Sequence, residues 1–263
     1  MPNTNETERV ARKLLPIIYV LDTSGSMAGS RISSVNEAMH DTIDVLKEVA
    51  ADNPTAELKI GVLQFSSNAK WITDNGFLYP DDFYWNDLPA GGLTSMGAAL
   101  DELNKKLSRS AWLNSPVGYK VPVIIFMSDG EPTDDYKKAL DKLNATNKWF
   151  KASTKIGIAV DDANVDVLQE IVGSKEAVIQ VNDNETLKKL IRVVSVTASM
   201  IGSKSRTSDD SQGKIMEVVN DEIGNKPAPT PAPAPDPAPT PQPTGGKASD
   251  PDTDDDWPDD DWS

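Results

Sequence analysis

Residues 15–27 read Leu15-Pro-Ile-Ile-Tyr-Val-Leu-Asp-Thr-Ser-Gly-Ser-Met27, and this stretch predicts how the rest of the chain is arranged. Its apolar run, residues 17–21, is typical of a buried parallel strand. The polar loop that follows spaces Asp22, Ser24 and Ser26 two residues apart. Because open α/β sheets bind ligands at the carboxyl ends of their strands, we expect a site here. One carboxylate and two hydroxyls suit Mg²⁺ or Mn²⁺.

Two later stretches can complete this oxygen set. Gly91-Gly-Leu-Thr-Ser-Met-Gly97 places Thr94 before a helical pattern, where its hydroxyl can cap the helix or face a ligand. Val121-Pro-Val-Ile-Ile-Phe-Met-Ser-Asp-Gly130 is a second buried-strand run, and it also ends in an aspartate, Asp129. The candidate metal ligands are therefore Asp22, Ser24, Ser26, Thr94 and Asp129.

With these motifs in this order, residues 10–203 resemble the von Willebrand factor A (vWA) family. The metal-ion-dependent adhesion site (MIDAS) of that family is written Asp-x-Ser-x-Ser, then Thr, then Asp. The loops 21–27 and 128–135 look similar to the bacterial tellurite-resistance (TerY) type. The resemblance implies a Mg²⁺ held by the five candidate residues, with Asp129 often acting through water and a partner's Asp or Glu carboxylate in the open coordination position.

The TerY-type resemblance also implies partners, namely a Ser/Thr kinase and a metal-dependent phosphatase in a bacterial stress response. The chain would then be a scaffold or regulatory subunit. A subunit of an ATPase or chelatase-type remodelling complex is the alternative that the family offers. Neither reading requires this chain to be an enzyme.

The alternation of strand and helix patterns predicts a Rossmann-like, doubly wound α/β fold. We expect a mostly parallel six-stranded sheet with helices on both faces. The two-residue turn Ser67-Asn68 predicts a hairpin, and hence one antiparallel edge strand. One helix after residue 135 should bury Leu140, Leu143 and Phe150. The predicted strands are 17–21, 57–66, 69–73, the run ending at 129, 155–160 and 177–181.

Composition divides the chain into five regions. We expect an N-terminal arm (1–12), a vWA domain (13–203), a linker with a short amphipathic helix at 214–223 (204–226), a Pro-rich linker (227–247) and an acidic, disordered Asp/Trp tail (248–263). The last region repeats three aspartates and a tryptophan, which are Trp257 and Trp262. It can solubilise the protein, dock on a basic partner, or reach back to the metal as an internal pseudo-ligand.

A second candidate recognition surface is Phe83-Tyr84-Trp85, which precedes the Thr94 loop. These aromatic side chains can instead cap the core. Both readings are open at the level of sequence, because aromatic residues are enriched in cores and in interfaces alike.

Charge and composition exclude several functions. The net charge is −15, and residues 204–263 carry −9 of it, so nucleic acid is not expected as a partner. There is no cysteine, which excludes disulfides and thiolate metal sites. The first residues lack a signal-peptide pattern and no stretch is long enough to span a membrane, so we expect a cytoplasmic protein without membrane contact.

Two aspartates and a metal ion superficially resemble the site of a Mg²⁺-dependent phosphohydrolase. That reading lacks a general base, and Arg31 is the only nearby cation available to neutralise a phosphate. The single histidine, His40, is expected on a helix surface, and Ser24 and Ser26 have no histidine partner in sequence. We therefore expect a binding module rather than a catalyst.

Overall fold

The structure is a computed structural model that describes residues 11–204 and 208–223. Its sheet has six strands, and β1 (Lys13–Asp22) is central. The order across the sheet is β3-β2-β1-β4-β5-β6, with only β3 antiparallel to its neighbour. The other strands are β2 (Ala56–Phe65), β3 (Ala69–Trp71), β4 (Val123–Ser128), β5 (Thr154–Val160) and β6 (Val178–Val181). The predicted fold class is confirmed.

Helices cover both faces of the sheet because the central strands are apolar on both sides. In β1, Ile17, Tyr19 and Leu21 face one core, and Ile18 and Val20 face the other. The first core is closed by α1 (Ser30–Ala51), α6 (Asn184–Lys204) and α7 (Ser208–Ile223). The second is closed by α2 (Met96–Lys106), α3 (Tyr136–Thr146), α4 (Lys148–Ala152) and α5 (Val165–Val172).

The prediction of a single helix after residue 135 is wrong. Helix α3 ends before Asn147, and α4 begins directly after it. The Asn147 side chain accepts hydrogen bonds from the backbone N–H of Trp149 and of Phe150, at 3.1 and 2.9 Å. It also donates to the Leu107 carbonyl at 3.1 Å. An asparagine that caps a new turn in this way ends one helix and begins the next.

The helix expected between the domain and the Pro-rich segment is present and longer than predicted. Helix α7 packs on α6 and β5. Ile215, Met216 and Val219 are buried in the same core as α1 and α6, whereas Val218 on the same helix is exposed. The compact unit therefore continues past residue 203, through α7.

No helix within the described ranges is both long and apolar enough to cross a membrane.

Candidate metal centre

The candidate site lies where the chain changes direction across the sheet. From β1 the chain continues to β2 on one side, and it returns to β4 on the other side, so β1 and β4 are parallel neighbours. Leu21 pairs with Met127. The next residues, Asp22 and Ser128, therefore lie side by side at the carboxyl ends of β1 and β4. Ligands bind at this edge of the sheet in open α/β folds.

Asp22 is buried, and both of its carboxylate oxygens accept hydrogen bonds. Oδ1 accepts from the backbone N–H of Ser24 at 2.8 Å, and Oδ2 accepts from the Ser128 hydroxyl at 2.6 Å. Burial raises the pKa of Asp22; the hydrogen bonds from Ser128 and Ser24 oppose this rise, and the charge of Asp129 adds to it. A cation placed between Asp22 and Asp129 would remove this cost.

Hydroxyl groups connect the two carboxylates. The Ser26 hydroxyl donates to Asp129 Oδ1 at 2.7 Å, and Ser24 Oγ lies 3.0 Å from Ser26 Oγ. Since a hydroxyl has one proton and Ser26 gives its proton to Asp129, Ser24 must donate to Ser26. Four of the five predicted residues, Asp22, Ser24, Ser26 and Asp129, therefore lie in one continuous hydrogen-bonded set.

Thr94 lies in a loop two residues before α2, and contacts from the β4–α3 loop hold it beside the other candidates. Its backbone N–H donates to the Thr133 hydroxyl at 3.1 Å, and its carbonyl accepts from the Thr133 N–H at 2.9 Å. A Cβ atom added at Gly130 would lie 3.5 Å from both Thr94 Oγ1 and Ser26 Oγ. The two hydroxyls therefore border the same small space next to Asp129.

Further backbone contacts fix the first loop against the Thr94 loop. The Gly91 N–H donates to the Thr23 carbonyl at 2.8 Å, and the Gly25 N–H donates to the Gly92 carbonyl at 3.0 Å. Gly92 has a φ of 89°, which a side chain would disfavour, and an added Cβ would lie 2.6 Å from Ser67 Oγ. These bonds bring together loops that are about 70 residues apart in sequence.

The side chains of this centre fit a hard divalent cation. They offer two carboxylates and three hydroxyls, all oxygen, and the hydroxyls of Ser26 and Thr94 border the space beside Gly130. In the part of the chain that the structure describes, no three His, Cys, Asp or Glu side chains cluster as a metal site. Any ion held here would therefore depend on hydroxyl ligands, which add no charge and leave the ion electrophilic.

The aromatic stretch is divided between core and surface. Phe83 and Trp85 are buried, and the Trp85 indole N–H donates to Asn36 Oδ1 at 3.2 Å. The same Asn36 side chain holds Leu88 by two further hydrogen bonds, at 2.9 and 3.1 Å. Phe83 and Trp85 thus cap the core and cannot form a recognition surface, while Tyr84 is 75% exposed. Trp257 and Trp262 lie outside the described residues.

Sequence reasoning missed the residues that position the candidate ligands. Ser128 orients Asp22, Thr133 holds Thr94, and Asp134 accepts hydrogen bonds from the backbone N–H of Gly97 and of Ala98, at 2.9 and 3.0 Å. The segment from Glu131 to Asp135 is predicted to begin a helix and belongs to the TerY-like loop 128–135, but that prediction assigns no role to Thr133 or Asp134. The Ser, Thr and Asp residues of positions 128–135 were the available signal. Arg31, considered only as a phosphate ligand, pairs with Asp129.

An open α/β sheet with oxygen side chains from three loops at its switch point defines a class of ligand-binding domains. The sequence pattern of the von Willebrand factor type A domain matches residues 17–193. The chain therefore belongs to the von Willebrand factor type A domain family, whose members often act in metal-dependent protein interactions.

Solved structures show the same fold. A von Willebrand factor type A protein from Catenulispora acidiphila is 20% identical, with a TM-score of 0.51 over 72% of this chain and 43% of that one. Proximal thread matrix protein 1 from the mussel byssus, with a zinc-occupied MIDAS motif, is 22% identical, with a TM-score of 0.53 over 70% and 48%. The chain spans less than half the length of these proteins.

Proposed function

We propose that this domain is a divalent-cation-dependent protein-binding module. Asp22, Ser24, Ser26 and Thr94 would hold Mg²⁺, with Mn²⁺ as a substitute, and Asp129 would bind it directly or through water. A carboxylate from an Asp or Glu of a partner protein would complete the coordination. The observation that carries this proposal is the hydrogen-bonded set in which the Ser24 backbone N–H and the hydroxyls of Ser24 and Ser26 link the buried carboxylates of Asp22 and Asp129.

The chemistry of the donors supports the choice of ligand. Two carboxylates neutralise a divalent ion, and the hydroxyls add dipoles without charge, so the ion keeps its attraction for one more anion. The zinc-occupied MIDAS of the mussel protein supports a divalent ion at this position of the fold. Mg²⁺ is proposed here because all the offered ligands are hard oxygens.

A binding role fits the surroundings of the hydroxyls better than catalysis does. His40, the only histidine in the sequence, is an exposed residue whose Nε2 lies 3.0 Å from Asp87 Oδ1. It is therefore engaged away from Ser24 and Ser26. Arg31 is engaged by two carboxylates, so it is not a free cation for a phosphate group.

The narrower proposal is a scaffold or regulatory subunit that joins a Ser/Thr kinase and a metal-dependent phosphatase in a bacterial stress response. It is supported by the similarity of loops 21–27 and 128–135 to the TerY type. Genes for a kinase and a phosphatase beside this one would favour it. A neighbouring ATPase gene would favour the chelatase-type alternative instead.

The acidic tail, residues 248–263, is proposed as a second docking element because it joins six aspartates of residues 254–261 to Trp257 and Trp262. Deleting residues 244–263 should then weaken partner binding. Tighter binding would instead favour the tail as an internal pseudo-ligand of the metal, and unchanged binding would leave it a solubilising segment.

The test of the metal site is thermal unfolding in EDTA and in excess Mg²⁺. Mg²⁺ at about 100 times its Kd should stabilise the fold by about 2.7 kcal/mol, which raises Tm by several degrees. Asp22→Ala should abolish the shift, whereas Asp81→Ala, at an exposed aspartate of another loop, should keep it. The same shift in Asp22→Ala as in the wild type would refute the site. Pull-down with Mg²⁺ and with EDTA then tests partner binding.

A further inference from the structure

The guanidinium group of Arg31 lies at the rim of the metal centre, between two carboxylates. Nη1 donates to Asp129 Oδ2 at 2.6 Å and to the Ser26 carbonyl at 2.9 Å, and Nε pairs with Asp161. The Arg31 side chain is 30% exposed, whereas that of Asp129 is fully buried. The buried Asp129 carboxylate is thus paired with a partly exposed guanidinium group, that of Arg31.

Contacts with strand β6 hold the backbone of Asp161, whose side chain pairs with Arg31. Asp161 follows β5 and has a φ of 51°, the only positive φ of a non-glycine residue among those described. Its N–H donates to the Val181 carbonyl at 2.7 Å, and its carbonyl accepts from the Gln180 side chain at 2.8 Å. Aspartate adopts this left-handed conformation more readily than most non-glycine residues.

Both oxygens of Asp129 are already engaged. Oδ1 accepts from Ser26 and Oδ2 accepts from Arg31. A divalent ion that takes Asp129 as a ligand, directly or through water, must therefore share this carboxylate with the guanidinium group. Arg31 carries a permanent charge because arginine is not deprotonated in proteins.

We propose that Arg31 is a built-in cation of the metal centre, which neutralises Asp129 when no divalent ion is bound and competes with that ion for the carboxylate. This inference rests on the proposed function, since it assumes that the centre binds Mg²⁺. Arg31 is a positioning residue, because it acts through Asp129.

The charges of the centre support this role. Arg31 contacts the carboxylates of both Asp129 and Asp161, and its single positive charge offsets one of their two negative charges. Without Arg31 the group would carry one more uncompensated negative charge in the metal-free state and would attract Mg²⁺ more strongly. When the Arg31 guanidinium and Mg²⁺ share the Asp129 carboxylate, they repel each other. In a water-like dielectric this repulsion raises the Kd for Mg²⁺ about tenfold.

The test compares Arg31→Gln with the wild type by calorimetric titration of Mg²⁺ and by thermal unfolding in EDTA. Arg31→Gln should lower Tm in EDTA and should bind Mg²⁺ about tenfold more tightly. If Arg31 had only a structural role, its loss would lower both the Tm and the affinity for Mg²⁺. A lower Tm together with a higher affinity therefore distinguishes the proposed role. Arg31→Lys should restore most of the wild-type Kd.

Asp161→Asn is the second variant, and it keeps the inference testable if Arg31→Gln does not fold. Asparagine tolerates a positive φ, and the Asp161 side chain is 29% exposed, so this variant should fold. This variant removes one negative charge, and Asp129 is then the remaining carboxylate that pairs with Arg31. Arg31 should therefore compete more strongly for Asp129, and Mg²⁺ binding should weaken. Unchanged or tighter binding by folded Asp161→Asn would overturn the inference.

Lys47→Gln is the matched control. Lys47 lies on the same helix α1, pairs with Asp44 at 2.8 Å, and its loss changes the net charge by the same amount as Arg31→Gln. Its Mg²⁺ Kd should equal that of the wild type. Equal or weaker Mg²⁺ binding by folded Arg31→Gln would overturn the inference alone, whereas a wild-type protein without Mg²⁺ binding would overturn the proposed function as well.

Discussion

At the scale of single residues, Gly130 determines how much room the candidate metal has. A Cβ added there would make ordinary van der Waals contact, at 3.5 Å, with Ser26 Oγ and with Thr94 Oγ1. Gly130 is not among the glycines with a positive φ, so its backbone does not require glycine. A methyl group at this position would therefore contact both hydroxyls without backbone strain.

Gly130→Ala should therefore fold normally and bind Mg²⁺ poorly. We expect a change in the free energy of unfolding within about 0.5 kcal/mol in EDTA, because no clash is created. The Mg²⁺ Kd should rise at least tenfold, on the order of 1.4 kcal/mol, because the methyl group would occupy the space between two ligand hydroxyls. Urea unfolding and calorimetric titration measure the two effects.

Gly213→Ala is the control for Gly130→Ala, because a Cβ at Gly213 would meet nothing within 4 Å. It should leave Mg²⁺ binding unchanged. Mg²⁺ binding by Gly130→Ala at the wild-type Kd would show that this space does not hold the ion.

At the scale of secondary-structure elements, the β4–α3 loop caps helix α2. This cap lies next to the Thr94 loop, which directly precedes α2. Asp134, from the β4–α3 loop, accepts from the first backbone N–H groups of α2, at Gly97 and Ala98. A carboxylate at a helix N-terminus satisfies unpaired donors and interacts favourably with the helix dipole. An added Cβ at Gly97 would lie 2.9 Å from Asp134 Oδ2, so the contact also needs glycine.

Asp134→Ala should destabilise the domain and loosen the Thr94 loop. We expect a loss of about 1–2 kcal/mol of unfolding free energy, because two donors of α2 lose their acceptor. Mg²⁺ binding should also weaken, since Thr94 lies two residues before α2. Chemical unfolding in EDTA and titration with Mg²⁺ separate these two effects.

The neighbouring residue provides the control for Asp134→Ala. Asp135 caps a different helix, α3, by accepting from the Lys138 N–H at 3.3 Å. Asp135→Ala should reduce stability and leave the Mg²⁺ Kd unchanged. If both variants lost Mg²⁺ binding equally, the effect would come from the stability of the whole loop and not from the α2 cap.

At the scale of the whole molecule, the core includes a helix that lies beyond the strand–helix alternation. Helix α7 contributes Ile215 and Val219, both fully buried, to the core formed with α1 and α6. Ile215→Ala should cost about 2–4 kcal/mol, because it removes buried methylenes and leaves a cavity. Val218→Ala, on the exposed side of the same helix, should cost far less. Equal losses in urea unfolding would show that α7 does not pack as described.

The sequence alone determined the fold class and the candidate ligands. Two apolar runs that each end in an aspartate predict buried strands, and parallel neighbouring strands bring those aspartates to one edge of the sheet. The alternation of strand and helix patterns predicted the mostly parallel sheet, and the two-residue turn Ser67-Asn68 predicted its antiparallel edge.

Only the tertiary structure decided how the ligands are held. Arg31, Ser128 and Asp134 act on residues about 40 to 110 positions away in the chain, and local patterns carry no information about contacts at such separations. Likewise, Phe83 and Trp85 are core residues because Asn36 and neighbouring helices cover them, while Tyr84 between them is left in solvent. A short aromatic run has the same sequence pattern whether it lies in the core or on the surface. Its burial depends on how distant parts of the chain pack against it.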